Sequence, residues 1–142
     1  MRHLELSADL PASAEAAWAV LIDTDDWPSW GRLVVAAEGE LVAGHQWCMT
    51  LGGGEGRPTR TLRPRFVSMV PGRQLVFETR LGASWIVRMV HTFEVLPAGP
   101  TGSVLRQSFA ITGLLVAPLW GVLHRGMVQF EALGADLALR LG

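Results

Sequence analysis

The chain has 142 residues and a mass of 15.4 kDa, the size of one folding unit. Hydrophobic residues at 49% and charged residues at 18% exclude global disorder, and a net charge of −1 lacks the basic excess that non-specific nucleic-acid binding needs. All twelve basic residues are Arg, which excludes lysine chemistry, and the single Cys48 excludes a disulfide within the chain and a thiolate-based zinc site.

Residues 3–10 alternate, with Leu4, Leu6, Ala8 and Leu10 on one side, and predict a half-buried strand that Pro11 ends. Ser13 is a candidate N-cap for a helix over 14–22, whose apolar side is Ala17, Trp18, Leu21 and Ile22. Residues 23–30 predict a second, short helix, with Pro28 limiting its length. From Leu33 to Thr112 the period is 2, and strands are expected over 33–41, 45–51, 59–69, 73–81, 84–96 and 103–112. Turn chemistry separates them at 43–44, 52–56, 71–72, 82–83 and 97–102, which favours an antiparallel meander. After Gly113 the period lengthens. Pro118 suits a first turn, and Leu119, Leu123, Met127, Phe130, Gly134, Leu137 and Leu141 predict one helix of about 24 residues.

The order is therefore strand, two helices, six strands and a long helix. The fold class expected is α+β: a seven-stranded curved antiparallel sheet wrapped around the terminal helix, as one domain over residues 1–142. A curled sheet closed by one helix leaves room for a cavity. The N-terminus lacks the apolar run of a secretory signal, and the greasiest stretch, 109–123, is too short and too broken for a membrane span. A cytoplasmic location is the expectation.

Four segments resemble a known family. They are Pro11-Ala-Ser-Ala-Glu-Ala-Ala-Trp18 running on to Asp23 and Trp27-Pro-Ser-Trp30; Pro71-Gly-Arg-Gln-Leu75; His91-Thr-Phe-Glu-Val95 with Gly102-Ser-Val-Leu105; and Gly113-Leu-Leu, Pro118-Leu-Trp120 and Phe130 to Leu137. In this order and spacing they resemble the START/Bet v 1-like (SRPBCC) superfamily, in particular the small bacterial polyketide cyclase/dehydrase domains. The resemblance covers essentially the whole chain. It implies the helix-grip fold and a deep apolar cavity for lipids, polyketides, sterols or hormones. This chain has no Tyr, and it carries Phe109 where many relatives carry Glu, so no catalytic scheme transfers.

Strand parity and helix spacing give a set of expected cavity residues. From the strands these are Trp47, Met49, Phe66, Phe77, Met89, His91, Gln107 and Phe109, with Trp30 near the mouth. From the long helix they are Trp120, Leu123, His124, Met127 and Phe130. Aromatic and Met side chains make an adaptable apolar wall. His91, flanked by Met89 and Phe93 on its face, is the polar group best placed to orient a ligand oxygen or act as a base. His124 is the second catalytic candidate, one turn after Trp120 and seven residues before Glu131. No metal or cofactor is expected, since no His pair has ligand spacing and the Asp23, Asp25, Asp26 cluster suits helix capping. The run 52–56 lacks the Lys of a phosphate loop, and Ser84 lacks the flanking Gly of a nucleophile elbow.

The leading expectation is a protein that binds a small hydrophobic molecule. The alternatives are a polyketide cyclase, aromatase or dehydratase using a cavity His, and an interaction or stress-response module with a homodimer as one use of the apolar segment 114–117.

Overall fold

The computed structural model describes residues 1–52 and 58–142. The glycine-rich tip expected at 52–56 falls, apart from Gly52, outside the described residues, as does Arg57. Strand β1 (Arg2–Leu10) leads through α1 (Ala14–Ile22), a 3-10 turn (Thr24–Asp26) and α2 (Trp27–Trp30) into seven more strands. These are β2 (Val34–Glu38), β3 (Cys48–Leu51), β4 (Arg60–Leu62), β5 (Arg65–Val70), β6 (Gln74–Leu81), β7 (Val87–Pro97) and β8 (Ser103–Thr112). Two helices, α3 (Val116–Val128) and α4 (Glu131–Leu141), complete the chain.

The strands pair antiparallel in the order β1-β8-β7-β6-β5, with β2-β3-β4 as a second group. A bridge between Gln46 and Arg65 and the bond from Trp47 N to the Pro64 carbonyl (2.9 Å) join the two groups at a corner. That corner explains why eight strands form where the period-2 pattern gives seven. The stretch 59–69 reads as one strand, but Pro64 has no N–H to continue the ladder. The chain turns there: β4 pairs with β3, and β5 pairs with β6. Register shifts also interrupt the alternation in β2, between Val34 and Ala36, and in β5, between Phe66 and Ser68, whereas it holds along β1, β7 and β8. In β8 every second side chain from Ser103 to Ile111 is buried. The strand expected from Ser84 starts later, at Val87, because Ile86 N bonds the Ala83 carbonyl in a turn, which leaves Trp85 64% exposed.

Ser13 caps α1 through a bond from Ala16 N to its Oγ (3.2 Å). Trp27 is fully buried, and its Nε1–H donates to the Leu21 carbonyl (2.9 Å). The terminal helix is broken at Gln129–Phe130, where Phe130 N reaches back only three residues to the Met127 carbonyl (3.1 Å). Gln107 of β8 donates from Nε2 to the Phe130 carbonyl (2.9 Å), so the break is tied to the sheet. Beyond it, Gly134 lets α4 lie close over β1, where a Cβ would stand 3.0 Å from that of Ala8. Asp136, buried, accepts from Arg32 N (2.9 Å), Nε (3.1 Å) and an Nη (2.9 Å). The loop before α3 is set by Gly113, with φ +132°, because a Cβ would meet the Ile86 carbonyl oxygen at 2.2 Å.

Candidate functional site

Two hollow spaces lie between the concave face of the sheet and the terminal helices. The outer one holds about 160 Å³ and is walled by the ends of β6 and β7 (Thr79, Leu81, Val87, Met89), by Arg60 and Leu62, and by α3 (Val122, Leu123, Gly126, Met127) with Gln129 and Phe130. The inner one, about 20 Å³, is walled by Trp27, Trp47, Met49, Pro64, Phe77, His91 and Phe93. Leu62, Thr79, Met89 and Phe130 border both, so the two spaces adjoin. A wider hollow of about 420 Å³ crosses β1, β8 and β7 on the sheet's other side. It is an open groove among half-exposed strand residues and lacks the enclosed apolar walls of a small-molecule site.

The outer cavity opens among exposed side chains, and among the described residues Arg60 is the one charged group there. Leu81 and Val122 on its wall are themselves exposed. Elsewhere on the surface, Leu114 N and Leu115 N bond the carbonyls of Trp85 and Ile86, which sets exposed Leu114 (73%) and Leu115 beside exposed Trp85.

The polar centre of the inner chamber is His91. Its ring is stacked between Phe93 (centroids 4.2 Å apart) and Phe109 (4.0 Å), with Phe130 at its edge. Its Nε2 lies 3.1 Å from Gln107 Oε1. Burial among these rings lowers the His91 pKa from 6.5 to about 3, only partly offset by the Gln107 bond. His91 is therefore neutral, and its tautomer follows from its neighbours. The Phe130 carbonyl can only accept, so the Gln107 amide nitrogen faces it. The Gln107 oxygen then faces His91, so His91 Nε2 carries the proton and Nδ1 the lone pair.

Of the expected cavity residues, Trp47, Met49, Phe77, Met89 and His91 from the strands line the two spaces. Leu123, Met127 and Phe130 from the helical segment line them too. The others are placed elsewhere. Gln107 stands behind His91 and is consumed by two protein bonds. Phe109 is the floor of the His91 stack, and Phe66 packs edge-on against Phe77 (5.5 Å). Trp30 leans on Trp27 (6.1 Å). Trp120 turns toward β1, where the Arg2 guanidinium lies 4.6 Å over its ring, and His124 packs beside Trp120 (5.3 Å). Neither borders the described cavities, because the helix face toward the sheet runs through Leu123, Met127 and Phe130. The expected set omits Phe93 and Thr79, although parity puts them on the faces of His91 and Phe77. Nothing local marks Trp27 or Pro64 as wall residues. Among the described residues, no three His, Cys, Asp or Glu side chains come together as a metal site.

The sequence matches the family described as "Polyketide cyclase / dehydrase and lipid transport" over residues 1–138. The chain belongs to this family. Solved structures repeat its architecture. A START superfamily protein from Mycobacterium smegmatis is 16% identical, with 98% of this chain and 96% of that one covered and a TM-score of 0.73. The di-domain ARO/CYC BexL from the BE-7585A biosynthetic pathway is 15% identical with a TM-score of 0.77; the match covers 97% of this chain and 45% of BexL. Norcoclaurine synthase from Thalictrum flavum, in complex with dopamine and hydroxybenzaldehyde, is 17% identical, with 96% and 84% of the chains covered and a TM-score of 0.69. At these identities the likeness is one of fold. No curated protein sequence matches the chain. The polyketide cyclase / dehydrase and lipid transport family and its START-like neighbours make this a helix-grip domain with a ligand cavity between sheet and terminal helix. Among the described residues no helix is long and apolar enough to cross a membrane.

Proposed function

We propose that this domain binds a small, mostly apolar molecule, about one ring in size, in the paired cavities under α3. The observation that carries the reading is the outer cavity: about 160 Å³, apolar on nearly every side, with Arg60 the one charged side chain on its wall among the described residues. An apolar cavity of about 150 Å³ is enough to take up benzene. Met89 and Met127 on its wall can shift to suit different outlines.

His91 serves this reading as a hydrogen-bonding group rather than as a general base. A base whose conjugate acid has a pKa of about 3 is poorly matched to proton abstraction near neutral pH. His91 is the one ionisable side chain on the inner wall among the described residues, so the enzyme reading lacks a second group to work with it.

Native mass spectrometry of freshly purified protein, with solvent extraction of any bound mass, tests for a resident ligand. A titration with toluene, followed through the methyl signals of Leu123, Met89 and Met127, tests the cavity itself. Shifts concentrated on the methyls of these three residues are expected. Saturating toluene that leaves them unmoved would sink the reading. A second reading, a homodimer that buries the exposed Trp85, Leu114 and Leu115, rests on that apolar patch. A monomer mass that holds across a hundredfold dilution series from millimolar protein removes it.

A further inference from the structure

The wall of the outer cavity is not chemically uniform. Most of its side chains are apolar, and among the described residues its one charge is Arg60 of β4. Strand alternation puts Arg60 on the same face as Leu62, which borders both spaces. Arg60 is exposed, so its guanidinium stands at the opening while Leu62 reaches the interior. Arg80 and Arg88, on the neighbouring strand ends, are both bonded to Glu78. Arg60 joins none of the ion pairs formed among the described residues. The other polar side chains on the wall, Thr79 and Gln129, are uncharged and can donate.

The charges around the opening share a sign. The segments 60–62, 78–89 and 116–130, which frame the cavity, hold four Arg and a single acid, Glu78, in a chain whose net charge is −1. Glu78 is already occupied by Arg80 and Arg88. A low-dielectric hollow with an entrance of one sign draws ligands of the other. Deeper in, the walls are aromatic and Met side chains around a neutral His91, which offer a charge no partner. An amphiphile satisfies both conditions, with its apolar body inward and its anionic group left at the entrance. A carboxylate matches the planar fork of a guanidinium, whereas an ammonium would be repelled there. We infer that the outer cavity takes a small apolar acid: a ring-sized body ending in one carboxylate, which pairs with Arg60 at the opening. This rests on the reading of the outer cavity as a ring site.

The test is a fluorine NMR titration of the intact chain with 4-fluorophenylacetate and 4-fluorophenylacetamide, which match in size and differ in charge. A charge-assisted pair at the entrance predicts that the acid binds about fivefold or more tightly at low salt. Raising sodium chloride from about 20 to about 500 mM should shrink that preference and leave the amide's affinity unchanged. Arg60→Gln keeps a donor and removes the charge, so the two probes should then bind within about twofold of each other. Arg125→Gln removes a charge from α3 that does not border the cavity, and most of the preference should survive it. Equal binding of the two probes to the unmodified protein overturns the anion site and leaves the ring cavity standing. A preference that persists in folded Arg60→Gln, or that falls as far in Arg125→Gln, overturns Arg60 as the partner. Binding of neither probe overturns the inference together with the cavity reading beneath it.

Discussion

Neutral His91 at the centre of the aromatic cluster makes folding sensitive to pH at one position. The groups packed on it (Phe93, Phe109, Phe130 and Gln107) are all uncharged, so nothing there rewards a proton on the ring. Folding lowers its pKa from 6.5 to about 3. Between these values the unfolded chain binds the proton and the folded chain does not, so stability falls as pH drops. The slope from this residue approaches about 1.4 kcal/mol per pH unit below pH 6. Urea midpoints measured from pH 7 to pH 4 should fall more steeply for the wild type than for His91→Leu; parallel curves would refute the assignment. Alternation along β7 is enough to point His91 inward, and alternation along β8 does the same for Gln107. Their bond is not legible in the same way. It depends on the β7–β8 register, which pairs His91 with Phe109 and Phe93 with Gln107, and register is a property of two strands. Trp27 and Asp136 were equally hidden, since their partners Leu21 and Arg32 become neighbours only through the α1–α2 turn and the path of α4.

At the scale of elements, the sheet contains a like-charge pair that one side chain resolves. Arg80 and Arg88 stand directly opposite on β6 and β7, a destabilising arrangement by itself. Glu78 accepts from both guanidinium groups. Burial pushes its carboxyl up, but the bonds and charges of Arg80 and Arg88 outweigh this and hold its pKa below the usual value of 4.5. The sign is the same as for His91, since both values are lowered, but the window lies at lower pH: the stabilisation is complete above the unfolded carboxylate value and is lost as pH falls through the lowered folded one. Because both guanidinium groups are partly in water, Glu78→Gln should cost about 1 kcal/mol at pH 7. The deficit should shrink below pH 4, where thermal melts of the two proteins converge; a deficit constant to pH 3 would show packing as its source. The breaks in the elements were the less legible part of the fold. Pro64 stands in an unbroken period-2 run, and the Phe130 junction in an unbroken helical stripe. Each break is stabilised from outside its own segment, by Trp47 N on the Pro64 carbonyl and by Gln107 on the Phe130 carbonyl.

For the molecule as a whole, the Phe130 junction divides the terminal helix into an anchored half and a covering half. Helix α4 buries Leu133, Gly134, Asp136 and Leu137, and the Arg32 pairing fixes it to the β2 side. Helix α3 has thirteen residues but buries only Val116 and Met127. Its Gly121 and Gly126 have nothing within 4 Å of where a Cβ would stand, so no close packing offsets their poor helix propensity. The element that roofs the outer cavity is thus the weakly held one, which is what ligand passage requires. Amide hydrogens of α3 should exchange at least tenfold faster than those of α4, with the change falling at the junction. Gly126→Leu then separates stability from binding. The side chain should raise helix stability by roughly 1 kcal/mol. It also projects from the cavity's border, so melting temperature should rise while toluene binding is lost. Retained binding in the stabilised variant would place the ligand elsewhere than under α3.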